Sequence, residues 1–182
     1  MKAIFLDRDG VINKYPGDTK YVNNLDDFRF LPRAKKAIAC LSKAGFGIFV
    51  ISNQAGVGKG IFSQKTLDLI TSRMLKRIAE FGGKIDAVYY CTHRKEEDCL
   101  CRKPRAGLLH IAKKEYPTIN FKRSFFIGDT MRDMHTAKAA GCSSILVLCG
   151  KEKLSNRSNW DTGPDFIFKN LWEAANFIIK QK

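Results

Sequence analysis

Two carboxylates stand two residues apart in Phe5-Leu6-Asp7-Arg8-Asp9-Gly10, directly after an apolar run. In extended backbone, side chains at that spacing point to the same side. Like charges so close are unfavourable unless a cation lies between them. Carboxylate oxygens are the hard ligands that magnesium takes alongside phosphate. One acid of such a pair can attack phosphorus while the other moves protons. A solvated turn is the competing reading, since Asp and Gly are common turn residues. Gly128-Asp129-Thr130-Met131-Arg132-Asp133 repeats the theme, and its acids either complete a magnesium site or cap a helix.

Three more groups suit phosphate and metal chemistry. Ser52-Asn53 offers a hydroxyl and backbone amides, and Gly56, Gly58 and Gly60 let backbone approach a ligand closely. Lys103 can neutralise a transferring phosphoryl group, and Arg102 can grip a phosphate with two hydrogen bonds. In so basic a chain, solvated surface cations are the alternative. Cys91-x-His93-x5-Cys99-x-Cys101 gathers three thiolates and an imidazole within eleven residues. That is the composition of a closed tetrahedral zinc site, which favours a structural role, against free thiols or a redox pair. Cys40, Cys142 and Cys149 sit in apolar surroundings and read as buried thiols.

These groups need a scaffold, and the apolar runs at 2–7, 46–52, 86–91, 124–128, 144–149 and 165–168 supply six strands. Most are continuous rather than alternating, as in strands covered on both faces. Helical spacing of apolar residues marks 33–44, 64–81, 105–115, 131–140 and 171–180, with Ser63 capping the second and Gly45 and Gly82-Gly83 as stops. Alternation of this kind predicts an α/β fold: a Rossmann-like, mostly parallel sheet with helices on both faces. Residues 1–182 read as one domain, and the polar stretch 151–164 as a surface loop. Ligands bind outside the carboxyl ends of such strands. Asp7/Asp9, Ser52-Asn53, Cys91/His93 and Gly128-Asp129 follow the first four, so they converge on one rim.

Composition narrows the setting. With 182 residues, 45% hydrophobic and 27% charged, the chain suits a globular protein. No apolar run approaches the roughly 20 residues that span a membrane, and no export leader is evident, which predicts a cytoplasmic protein without disulfides. The net charge of +14 admits a nucleic-acid partner or a field for small anions. No basic run is interleaved with aromatics, so the small anion is preferred.

Taken together, Asp7-x-Asp9, Ser52, Lys103 and Gly128-Asp129 with Asp133 resemble the four motifs of the haloacid dehalogenase superfamily. The Cys-x-His…Cys-x-Cys-Arg-Lys-Pro segment resembles a narrower branch acting on heptose bisphosphates and histidinol phosphate. The loop Ser52-Asn53-Gln54-Ala55-Gly56-Val57-Gly58-Lys59-Gly60-Ile61-Phe62, with Tyr21-Val22, Phe28 and Phe30-Leu31-Pro32, is more similar to the heptose side. The resemblance implies a capless magnesium-dependent phosphatase removing the C7 phosphate of a heptose 1,7-bisphosphate. Histidinol phosphate, a polynucleotide end or a non-enzymatic zinc module binding nucleic acid are the alternatives. It further implies Asp7 as nucleophile, Asp9 as acid and base, and magnesium on Asp7, the Asp9 carbonyl and Asp129. Ser52, Asn53, Gln54, Arg102 and Lys103 would bind substrate, Arg102 taking the second phosphate. Asp133 would support the metal or orient Lys103. Zinc on Cys91, His93, Cys99 and Cys101 and the loop 13–21 would shape the pocket of a monomeric enzyme. Ser52 stands where Thr is usual, Thr130 where Lys or Ser is, and the stretch from Lys14 to Lys20 is longer than usual.

Overall fold

A computed structural model describes residues 1–181. Six strands form one sheet: β1 (Ala3–Leu6), β2 (Gly47–Asn53), β3 (Ala87–Cys91), β4 (Phe125–Gly128), β5 (Ser143–Val147) and β6 (Phe166–Phe168). Five helices of at least nine residues accompany them: α1 (Ala34–Lys43), α2 (Gln64–Ala79), α3 (Gly107–Glu115), α4 (Met131–Ala140) and α5 (Leu171–Lys180). The strand order is β3-β2-β1-β4-β5-β6, and every pairing is parallel.

The continuous apolar strands feed two layers. Ile4 and Leu6 join Ile48, Val50, Ile127 and Ile145 under α1, α2 and α5. Their neighbours Ala3 and Phe5 face the other way, with Phe49, Ile51 and Phe126, under α3 and α4. Phe5 centres an aromatic cluster, its ring centroid 5.6 Å from Phe49, 6.0 Å from Phe121 and 6.5 Å from Phe126. Burying apolar side chains on both faces of the central strands is the main stabilising contribution.

Helix ends follow the sequence signals. The Ser63 hydroxyl accepts the Thr66 amide at 3.1 Å, and α2 stops before Gly82, whose φ of +79° only glycine adopts freely. The stretch 151–164 is not wholly irregular, since Leu154–Asn159 forms a short 3-10 turn. No helix among the described residues is long and apolar enough to cross a membrane.

The sheet reverses its direction of growth at β1. From β1 the chain runs outward through β2 and β3, then crosses back to β4 on the other side of β1. The crevice at such a reversal is where open α/β sheets hold ligands. Asp7 and Asp129 flank it.

Truncating the side chain beneath this edge is expected to unfold more than a local patch. Phe5→Ala, two residues from Asp7, should destabilise the protein by about 3–5 kcal/mol. A urea-denaturation midpoint unchanged from the parent protein would contradict that role for the aromatic cluster.

Candidate active site

Asp7 continues the β1 ladder, its amide donating to the Ile127 carbonyl at 3.0 Å, and its carboxylate emerges at the reversal point. Lys103 Nζ lies 3.0 Å from Asp7 Oδ2 and 2.6 Å from Asp133 Oδ1, and the lysine is buried. Asp133 sits in the first turn of α4, where its other oxygen accepts the Thr130 amide at 3.1 Å and hydroxyl at 2.6 Å. One oxygen of Asp133 thus caps α4 while the other pairs with Lys103.

Asp129 is buried, and its Oδ2 accepts the Lys151 amide at 2.7 Å. Two glycines shape its seat: a Cβ on Gly10 or on Gly150 would lie 2.1 Å from that oxygen. One carboxylate oxygen each from Asp7, Asp129 and Asp133 lies within 4.8 Å of the others, close enough to share one ion. Burial pushes the Asp7 carboxyl up to about 6, against the pull of Lys103 and with the added repulsion of Asp133 and Asp9. Burial, then Asp133 and Asp7, also hold Asp129 well above the usual carboxylate range. Burial works to lower Lys103, yet Asp133 and Asp7 outweigh it and keep the ammonium charged. One lysine leaves the three acids undercompensated, and a hard divalent cation on carboxylate oxygens suits that deficit.

The carboxyl end of β2 supplies the next wall. Ser52 and Gln54 are buried there, and the Asn53 side chain exchanges two hydrogen bonds with the Lys103 backbone, both 3.1 Å. That pair fixes the lysine to the strand end. Gln54 lines the cavity, but its amide is engaged internally, donating to Asp9 at 2.9 Å and to Ser52 Oγ at 3.1 Å.

Beside this wall, Cys91, His93, Cys99 and Cys101 bring three sulfurs and one ring nitrogen within 4.8 Å of one another. Neighbouring ligand atoms are 3.2–3.7 Å apart and none of the cysteines is in a disulfide. Tetrahedral zinc with thiolates at its usual bond length holds them about 3.8 Å apart, so the cluster fits that ion. The loop docks on the glycine-rich segment: Arg94 Nε donates to the Gly58 carbonyl at 2.7 Å, and the Gly58 amide to that of Thr92 at 3.1 Å.

The cavity above these groups has a volume of about 460 Å³. Its floor carries Asp7, Asp9, Ser52, Lys103 and Asp129, and its outer wall carries Lys20, Lys59, Arg102, Arg132 and Lys151. Every site residue read from the sequence is placed at this rim or in the adjoining clip. Lys59, Arg132 and Lys151 were not singled out as site residues. Applying the strand-end rule to β5 as well as to the first four strands would have reached Lys151, just beyond Gly150. Arg8 was also missed; it is fully buried and grips Asp9.

The fold and this rim define a phosphotransfer hydrolase, and comparison with known proteins narrows the class. A family described as "HAD-hyrolase-like" matches residues 100–174. The D-glycero-beta-D-manno-heptose-1,7-bisphosphate 7-phosphatase of Pseudomonas putida is 39% identical over 180 residues, covering 98% of this chain and 100% of that protein. The D-glycero-alpha-D-manno-heptose-1,7-bisphosphate 7-phosphatase of Campylobacter jejuni is 38% identical, covering 97% and 95%. The structure of D,D-heptose 1,7-bisphosphate phosphatase from B. bronchiseptica, complexed with magnesium and phosphate, superposes with a TM-score of 0.90 at 31% identity, with both chains fully covered. The chain belongs to the haloacid dehalogenase-like hydrolases, and within them to the family of the heptose 1,7-bisphosphate 7-phosphatases.

The raised Asp7 carboxyl has a signed consequence. Its folded-state value of about 6 exceeds the ordinary 3.8, so the native state binds the extra proton. In protein freed of divalent cations, this group's contribution to stability is fully present below the ordinary value and is lost as pH rises through about 6. Magnesium should therefore raise the urea midpoint more at about pH 7.5 than at about pH 4.5. An equal increment at both would contradict a cation site on these acids.

Proposed function

We propose that this chain hydrolyses the C7 phosphate of a D-glycero-D-manno-heptose 1,7-bisphosphate through an aspartyl-phosphate on Asp7. The observation that carries it is Asp7 at the sheet reversal, bridged to Asp133 by Lys103. This site lies in a chain similar along its whole length to phosphatases of that name. A magnesium ion would be held by Asp7, the Asp9 carbonyl and Asp129. When bound it would screen the phosphate's charge and so let an anionic nucleophile approach.

The Asp7 carboxylate attacks phosphorus, and the phosphorus–oxygen bond to C7 breaks. The leaving oxygen takes a proton from Asp9. The freed Asp9 carboxylate then removes a proton from water, whose oxygen attacks the phosphorus. The bond to Asp7 breaks, and inorganic phosphate leaves. Ser52, Asn53 and Lys103 hold the phosphoryl oxygens during both transfers. Lys103 also keeps Asp7 oriented, because its own position is tied to Asn53 and Asp133.

The outer wall supports a bisphosphate. Lys20, Lys59, Arg102, Arg132 and Lys151 line the outer wall beside the acids Asp18 and Glu152, while Asp7, Asp9, Asp129 and Asp133 lie on the floor. A second phosphate gains from that field, whereas the ammonium of histidinol phosphate is repelled by it. Arg102 is the proposed contact for the C1 phosphate. Cys91, His93, Cys99 and Cys101 would hold a structural zinc that sets the position of Arg102 and Lys103. All these groups come from one domain of one chain, which supports a monomer; a cytoplasmic enzyme without nucleic-acid or membrane partners completes the reading.

Phosphate release with magnesium is the test, comparing the α and β anomers of heptose 1,7-bisphosphate with histidinol phosphate and a 3′-phosphorylated oligonucleotide. One bisphosphate anomer should be preferred, and Asp7→Asn should abolish turnover. Preference for histidinol phosphate or the oligonucleotide would discard the substrate, and turnover by Asp7→Asn would discard the mechanism. Metal analysis should find one zinc per chain, lost in Cys99→Ser together with thermal stability. A metal-free clip with unchanged melting would refute the zinc.

A further inference from the structure

Arg8 stands between the two site acids, yet it is the largest side chain with no solvent exposure. Asp7 and Asp9 reach the cavity, while the intervening residue turns inward beneath them. Its guanidinium holds Asp9 as a fork, Nε to Oδ1 at 3.1 Å and Nη2 to Oδ2 at 2.9 Å. Nη2 also donates to Gln54 Oε1 at 3.0 Å, and the group lies 5.8 Å from the centroid of the Tyr90 ring. Asn13 Nδ2 completes Oδ1 at 2.8 Å, and Gln54 Nε2 completes Oδ2 at 2.9 Å.

Stability alone is a poor explanation for this arrangement. Taking an ion pair out of water costs free energy that mutual attraction often fails to recover, and apolar side chains of similar volume commonly fold as well. Here the loss is incompletely offset, because Arg8 Nη1 has no hydrogen-bond partner among the described residues. What the fork provides is geometry: two parallel hydrogen bonds fix the plane of a carboxylate, which a single point charge cannot do.

We infer that Arg8 is a positioning residue for proton transfer by Asp9, with Gln54 linking that acid to the phosphate site. The inference rests on the role given to Asp9 above. Four donors occupy the four acceptor positions of the Asp9 carboxylate. The arginine fork sets the plane of that carboxylate, and the neutral amides of Asn13 and Gln54 hold its remaining positions. Gln54 also donates to Ser52 Oγ at 3.1 Å, so a phosphate engaging that hydroxyl acts on the same amide that restrains Asp9.

The test uses leaving groups. The sugar alkoxide needs a proton as it departs, whereas 4-nitrophenolate leaves without one. The measured quantity is kcat/KM, which covers steps up to release of the alcohol. Asp9→Asn should lower it much more for heptose bisphosphate than for 4-nitrophenyl phosphate; equal losses would overturn the role of Asp9 itself. With that control satisfied, Arg8→Met and Arg8→Lys should show the same asymmetry. Loss on the sugar phosphate should be on the order of 10- to 100-fold, and on the aryl phosphate within about threefold. Arg8→Lys retains a cation without the fork, so it carries the test if Arg8→Met fails to fold. Equal losses on both substrates, or none on either, would leave Arg8 a structural residue and overturn the inference.

Discussion

The arrangement of this molecule turns on three carboxylates, two buried and one half-buried, crowded around one ammonium. Asp7, Asp129 and Asp133 come from the ends of two neighbouring strands and the helix that follows, and Lys103 is the cation buried among them. Such a cluster is costly in isolation, and much of the nearby sequence answers to it. Gly10 and Gly150 are small because a Cβ on either would strike Asp129, and a Cβ on Gly128 would lie 2.2 Å from that of Asp133. Asn53 devotes both ends of its amide to the lysine backbone. The negative charge left over favours a divalent cation, and that cation would in turn offset the charge of an anionic substrate.

The cysteine clip belongs to the same problem. Lys103 is carried on a connection rather than on a strand or helix, and connections are mobile unless something holds them. Cys99 and Cys101 lie within four residues of the lysine, and their partner Cys91 ends β3 in register with Asn53 of β2. An ion drawing these four ligands together would fasten the connection to the strand edge. Arg105 adds to this by binding the Cys99 carbonyl at 3.1 Å and the Asp98 carboxylate at 2.6 Å. A site carried on a connection gains from such a staple, since a displacement of about 1 Å in a charged group can cost much of its effect.

The fold was largely legible because a parallel sheet buried on both faces writes itself as continuous apolar runs. Ala3–Leu6 and Gly47–Ser52 are buried at every position. The site was legible for a related reason: polar residues directly after such runs must emerge at one edge. Arg8 was not, since an arginine between two aspartates reads as solvent-exposed, and its surroundings of Gln54 and Tyr90 come from distant parts of the chain. Gln54 reads as a substrate contact from its neighbours, but its amide is satisfied by Asp9, Ser52 and Arg8. Lys151 lies in a polar stretch whose local pattern says surface loop. Its place shortly after the end of β5 is the cue toward the rim, and the contact of its amide with Asp129 holds it there.

On the proposed reading, chemistry and specificity occupy physically different layers. The groups proposed to handle phosphorus are buried or half-buried, mutually hydrogen-bonded and tied to strand ends, so changing one disturbs several. Some of the outer cations are loosely held, such as Lys151, whose ammonium reaches Asp18 on the opposite wall with both side chains largely exposed. Exposed pairs of this kind contribute little to stability, so they can be exchanged without endangering the fold. The named relatives fit that division: similar proportions of this sequence are shared with an enzyme named for the β anomer and with one named for the α anomer. On the proposed reading, discrimination at C1 belongs to the outer wall, and the demands of phosphoryl transfer to the carboxylate cluster beneath it.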